Sequence, residues 1–102
     1  MATIYSTQLL ARHAVSGSSI YLVPDGYTAI LRDLDGWIYP AAGGPLLTLL
    51  GPLGNVLAQA EGSAITGTPL VWRGRQVLNP GDTFTVTADA ESDFQVSGYL
   101  LS

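Results

Sequence analysis

Asp82-Thr83-Phe84-Thr85-Val86-Thr87-Ala88 is the stretch that decides the fold class. Phe84 and Val86 fall on one side of an extended chain, and Thr83, Thr85 and Thr87 fall on the other. That period of two belongs to a strand with one face buried. Turn-forming residues bound it: Asn79-Pro80-Gly81-Asp82 before, and the acidic Asp89-Ala90-Glu91-Ser92-Asp93 after. Residues 94–101, rich in aromatic and aliphatic side chains, form the next segment. Phe84, Val86, Phe94 and Val96 are therefore expected in one core, supplied by two strands joined at the acidic turn.

The same punctuation continues outward. Pro24-Asp25-Gly26, Asp35-Gly36, Gly43-Gly44 between Pro40 and Pro45, Gly51-Pro52-Leu53-Gly54-Asn55, Glu61-Gly62-Ser63 and Gly67-Thr68-Pro69 all read as turns. Between them lie strand-length segments at 4–10, 20–23, 27–34, 46–50, 56–60 and 70–78. About eight short strands with tight turns predict an all-β fold, an antiparallel, jelly-roll-like β-sandwich. A helix over Thr7 to Val15 is allowed by propensity. The β-favouring Ile4-Tyr5-Ser6-Thr7 ahead of it and Ser16-Gly17-Ser18-Ser19 behind it favour a strand followed by a loop, which puts His13 in the loop.

The 102 residues, 10.7 kDa, are one domain's worth of chain, read as a single unit over 1–102. Apolar residues make up 47% and charged residues 12%, a balance opposite to that of a disordered segment. It fits a subunit that buries some of its surface against neighbours. With 0 cysteines there is no disulfide framework, thiol nucleophile or zinc ribbon. All four cations are arginines (Arg12, Arg32, Arg73, Arg75), so Schiff-base chemistry and a P-loop lysine are excluded. A net charge of −4 with no basic run argues against direct nucleic-acid binding. Leu46-Leu47-Thr48-Leu49-Leu50 stops at Gly51-Pro52, far short of the roughly 20 apolar residues of a membrane-spanning helix. Met1 to Gln8 lacks the basic and apolar regions of a signal peptide, so the expected site of synthesis and assembly is a cytosol.

Catalytic and metal signatures are weak. His13 is the lone histidine and no Gly-x-Ser-x-Gly elbow accompanies it. Asp33-Leu34-Asp35-Gly36 opens like a calcium loop, but the position of the late bidentate glutamate is Gly44. Asp89, Glu91 and Asp93 crowd one turn and could hold Ca²⁺, although solvated turn carboxylates look the same. Neither a catalytic set, a cofactor nor a metal site is therefore assigned. Trp37, Tyr39 and Trp72 are the aromatic side chains that would form a ligand platform if exposed, and core or interface filler if not.

Trp72-Arg73-Gly74-Arg75 is the most distinctive cluster. On a strand, Arg73 and Arg75 share one face and Trp72 takes the other, with Gly74 admitting a close neighbour. Trp72, Arg73 and Arg75 are expected to form an interface with another subunit. Pairing of the arginines with Asp33, Asp35 or Asp82 of the same chain is the competing arrangement.

Three stretches together carry a resemblance: Val23-Pro24-Asp25-Gly26-Tyr27-Thr28-Ala29-Ile30-Leu31-Arg32-Asp33-Leu34-Asp35, then Trp72 to Asp82, then the closing Val96-Ser97-Gly98-Tyr99-Leu100-Leu101. In this order they resemble small minor tail or virion structural proteins of tailed bacteriophages of actinobacteria. The resemblance implies a non-enzymatic particle component acting in several copies and bound to other virion proteins, made in the host cytoplasm and residing in the virion. A capsid decoration protein, or a carbohydrate- or receptor-binding module of a tail fibre, is the alternative. The closing Ser97-Gly98-Tyr99-Leu100-Leu101 is also similar to the last strand of trimeric tumour-necrosis-factor-like and complement-type jelly rolls, which implies a trimer.

Overall fold

The computed structural model describes residues 4–102; Met1, Ala2 and Thr3, the start of the stretch read above for a signal peptide, lie outside it. Eight strands follow one another: β1 (Ile4–Ala14), β2 (Gly17–Leu22), β3 (Thr28–Ile38), β4 (Leu46–Leu50), β5 (Val56–Glu61), β6 (Thr68–Leu78), β7 (Thr83–Ala88) and β8 (Ser92–Leu101). Two antiparallel sheets stack, in the orders β1-β8-β3-β6 and β2-β7-β4-β5. First pairs with last, second with seventh, third with sixth and fourth with fifth. The chain is thus a long hairpin folded over on itself, with its tip between β4 and β5: a jelly roll. Among the described residues no helix is long and apolar enough to cross a membrane.

Inward-pointing residues of both sheets meet in one core. Leu31, Leu34, Ile38, Leu78, Phe94 and Val96 come from the first sheet, and Leu47, Leu49, Phe84 and Val86 from the second. Phe84 and Val86 are buried as the alternation requires. Phe94 and Val96 join them across the sandwich, because the acidic turn carries the chain from one sheet to the other. Two turns hold the opposite end. Gly26 and Gly81, at φ 83° and 85°, occupy the left-handed corner that glycine accepts freely. The turns interlock through Val23 N–H donating to Asp82 O at 2.9 Å and Gly81 N–H donating to Val23 O at 3.1 Å.

Three expectations about element boundaries are corrected. The first strand does not end at residue 10; it runs on to Ala14, because Ala11, Arg12, His13 and Ala14 pair with Gln95, Phe94, Asp93 and Ser92. His13 is therefore a strand residue. Ser16-Gly17-Ser18-Ser19 is not a terminator either, since β2 begins at Gly17 and pairs from there with β7. Asp35-Gly36 is not a turn but mid-strand in β3, with Gly36 opposite Phe94 and Leu70. Packing favours glycine there: a Cβ would stand 2.7 Å from Leu47 Cδ2 of the facing sheet, so that side chain would have to move. β4 spans Leu46–Leu50 as expected, and the remaining segments differ by one to three residues at their ends.

β3 hides its periodicity through a bulge. Leu31 pairs with Gly98 and Asp33 with Ser97, so Arg32 is the extra residue. The inward face shifts at that point from Ala29 and Leu31 to Leu34 and Ile38.

Candidate functional site

Outward-facing residues of β1, β8 and β3 build a polar surface at the acidic-turn end of the first sheet. His13 opposes Asp93, which opposes Trp37; one rung along, Ala11 opposes Gln95, which opposes Asp35. Between these rungs lies a depression of about 540 Å³, bordered also by Arg12, Gly36 and Phe94.

His13 sits at one end of the depression with both ring nitrogens engaged. Nδ1 faces Asp93 Oδ1, and Nε2 lies 2.9 Å from Glu91 Oε2. Two carboxylate acceptors call for two ring protons, which favours the imidazolium. The bond to Asp93 is the main influence raising the His13 pKa above 6.5, with a smaller contribution from Glu91. Tyr39 O–H donates to Asp93 Oδ2 at 2.6 Å, and the His13 ring stands edge-on to Tyr39 at 5.6 Å. Asp93 is correspondingly held below 3.8, first by Tyr39 and then by His13. The same hydrogen bond raises Tyr39 above 10.0. With both nitrogens held by carboxylates, the imidazole cannot also activate a hydroxyl as a general base. It ties β1, β8 and the end of β3 together.

The acidic turn is accordingly divided among partners. Asp89 Oδ2 accepts from Leu46 N–H at 3.1 Å, while Glu91 and Asp93 hold His13. Among the described residues no group of three or more His, Cys, Asp or Glu is placed to hold a metal ion.

Arg73 and Arg75 share the outer face of β6, and Trp72 turns inward to pack on the core. The neighbour that Gly74 admits is the indole of Trp72 itself, 2.7 Å from where a Cβ would stand. Arg73 pairs within the chain, at 2.9 Å from Asp35 Oδ1 and 3.4 Å from Asp33 Oδ1, which holds its guanidinium above the usual range. It also donates to Leu34 O and Trp72 O, at 3.2 and 3.0 Å. Asp82 is occupied elsewhere, accepting from Asn79 N–H at 2.9 Å. Arg75 makes no hydrogen bond or ion pair among the described residues and projects into solvent. Of the three aromatic platform residues, Trp72 is packed inward and Tyr39 is tied to Asp93, while Trp37 stays 43% exposed.

The His13–Asp93 pairing and the place of Gln95 beside Asp35 were not legible in sequence. The first joins residues 80 apart, and only the register of β1 on β8 reveals it.

No protein-family model matches the chain, and no curated protein sequence does. Solved structures with a similar course of chain include the virus-like particle of the extra small virus of the giant freshwater prawn Macrobrachium rosenbergii. It has 14% identity and a TM-score of 0.46, covering 97% of this chain and 79% of that one. Bacillus endospore appendages, a family of disulfide-linked pili, give 11% identity and a TM-score of 0.39 over 99% and 88% of the two chains. A structure of infectious bursal disease virus, Gx strain, gives 8% identity and a TM-score of 0.41 over 98% and 32%.

Proposed function

We propose that the protein is a non-enzymatic structural subunit of a virus particle, a minor tail protein of a tailed bacteriophage, that assembles with copies of itself through the outer face of its second sheet. One observation carries the reading: that face is almost free of charge. Its rungs are Ser18–Thr87–Thr48–Gln59, then Ile20–Thr85–Leu50–Val56, then Leu22–Thr83. Ile20, Leu22 and Val56 are 63%, 61% and 57% exposed. Glu61, at the rim, is folded back over Gly44.

A partner recognised by charge finds nothing to hold on this surface. A second copy does, because chains of net charge −4 repel one another wherever acidic residues meet, and here the one acidic residue, Glu61, lies at the rim. The polar rung is already paired internally, Gln59 Nε2 donating to Thr48 Oγ1 at 2.9 Å and Ser18 Oγ lying 3.2 Å from Thr87 Oγ1. Groups so paired lose little when water leaves. A trimer is the favoured copy number, on the likeness of Ser97 to Leu101 to trimeric jelly rolls. Arg75, with Arg73 and Trp72 beside it, is the proposed contact for a carboxylate of a neighbouring virion protein.

Light scattering after size exclusion tests the assembly. The native chain is expected to elute as a closed oligomer, and the double variant Ile20→Glu, Leu22→Glu as a folded monomer with an unchanged circular dichroism spectrum. A native monomer at every concentration, or an oligomer untouched by the two glutamates, would overturn the reading.

A further inference from the structure

Trp37 combines two properties that rarely occur together: it is held in place, and it is open to solvent. Its side chain points outward from β3 and borders the depression on the first sheet. On its other side the six-membered ring rests on Gly67, where any side chain would collide with Cζ2, Cε2 and Cη2. The indole is thereby a fixed aromatic surface rather than a swinging one, and little ordering entropy remains to be lost on binding.

Hydrogen-bonding groups stand beside it with capacity to spare. Asp35 gives Oδ1 to Arg73 and leaves Oδ2 without a partner among the described residues. The Gln95 carboxamide makes one long contact, 3.4 Å from its Nε2 to Ser97 Oγ. One planar acceptor and one planar donor–acceptor thus flank the indole.

The two carboxylates that border the depression are paired, while Arg12 on its rim donates to Ser19 Oγ at 3.2 Å and meets no carboxylate among the described residues. Asp35 is answered by Arg73, and Asp93 by His13. A cation would find both carboxylates already taken, whereas a molecule rich in hydroxyl groups needs no free counter-charge. The volume falls inside the roughly 300–1,000 Å³ of small-molecule sites.

We infer that the depression bordered by Trp37, Asp35 and Gln95 is a binding site for a neutral glycan, the C–H face of one sugar ring lying on the indole and adjacent hydroxyls bonding Asp35 Oδ2 and the Gln95 carboxamide. The site is on the opposite side of the sandwich from the assembly face, so it does not depend on that face.

The test is a fluorescence titration in a Trp72→Phe background, where Trp37 is the sole indole. The probes are the β1,4-linked hexaoses of glucose, mannose and N-acetylglucosamine, with choline chloride and sodium sulfate as charged comparators. A saturable response to at least one hexaose and none to the comparators is expected. By calorimetry on the otherwise native chain, Trp37→Ala and the exposed, fold-neutral Gln95→Ala should each weaken that binding by about tenfold. No saturable response to any hexaose, equal binding by Gln95→Ala, or tighter binding of choline or sulfate would overturn the assignment.

Discussion

His13 of β1 and Asp93 of β8 face each other across the pairing of the first strand with the last, imidazole Nδ1 against carboxylate Oδ1. Glu91 holds the second ring nitrogen and Tyr39 the second oxygen of Asp93. Three segments distant in sequence are joined where the chain turns from β7 into β8. The groups are half-exposed, so solvent and salt screen them, but their linkage gives the clamp a definite signature in pH.

The folded-state pKa of His13 lies above 6.5, so its contribution is fully present below 6.5 and fades as pH rises through the raised value. Asp93 lies below 3.8 when folded, so its contribution is present above 3.8 and is lost as pH falls through the lowered value. The clamp is strongest between those limits. Melting temperature followed against pH should show a shallow maximum there, and His13→Gln should remove the decline on the alkaline side. An identical profile in the variant would contradict the pairing.

Phe84 is fully buried, its ring tilted against Tyr21 at a centroid distance of 5.2 Å. Phe84→Ala should cost about 3–5 kcal/mol, read by urea unfolding of the folded fraction. Thr85→Ala on the neighbouring outward position should change stability by less than about 1 kcal/mol. Equal costs would mean that the strand register is wrong.

Gly36 gives a second packing test. Gly36→Ala places a methyl group 2.7 Å from Cδ2 of the buried Leu47, whose side chain must then shift, and such overpacking costs about 1–3 kcal/mol. Were Asp35-Gly36 a solvent-exposed turn, the same substitution would be close to neutral. Thermal melting distinguishes the two.

Arg73 and Arg75 separate by the same method. Arg73→Gln removes contacts to Asp33, Asp35 and two backbone carbonyls and should lower the melting temperature slightly. Arg75→Gln should leave the isolated chain unchanged and act only on particle incorporation. A fall in stability for Arg75→Gln would show that its guanidinium is used within the fold.

How far the sequence could be read depended on the regularity of each strand. Thr83 to Ala88 was legible because one face is buried without interruption, so period two survives intact. β3 was not, since the bulge at Arg32 puts Leu31 and Leu34 on the same side three residues apart, and Gly36 imitates a turn while serving a packing need. The last residues of β1 are strand because of what β8 offers them, a long-range cause that local propensity does not contain. Trp72-Arg73-Gly74-Arg75 showed its alternation plainly, yet nothing in its spacing distinguished Asp35 from Asp82 as the partner of Arg73. Gln95 carried no motif at all and acquires meaning only from the neighbours that the register gives it.

The outer face of the second sheet as the surface between copies is most directly tested by the reactivity of one introduced thiol. The chain has 0 cysteines, so Thr85→Cys, at the centre of that face, reports alone, with Gln95→Cys on the opposite side of the sandwich as control. Thiol modification should be slow at position 85 in the native assembly, fast once Ile20→Glu and Leu22→Glu are added, and fast at position 95 throughout. Equal and rapid modification at both positions in the native assembly would contradict the account.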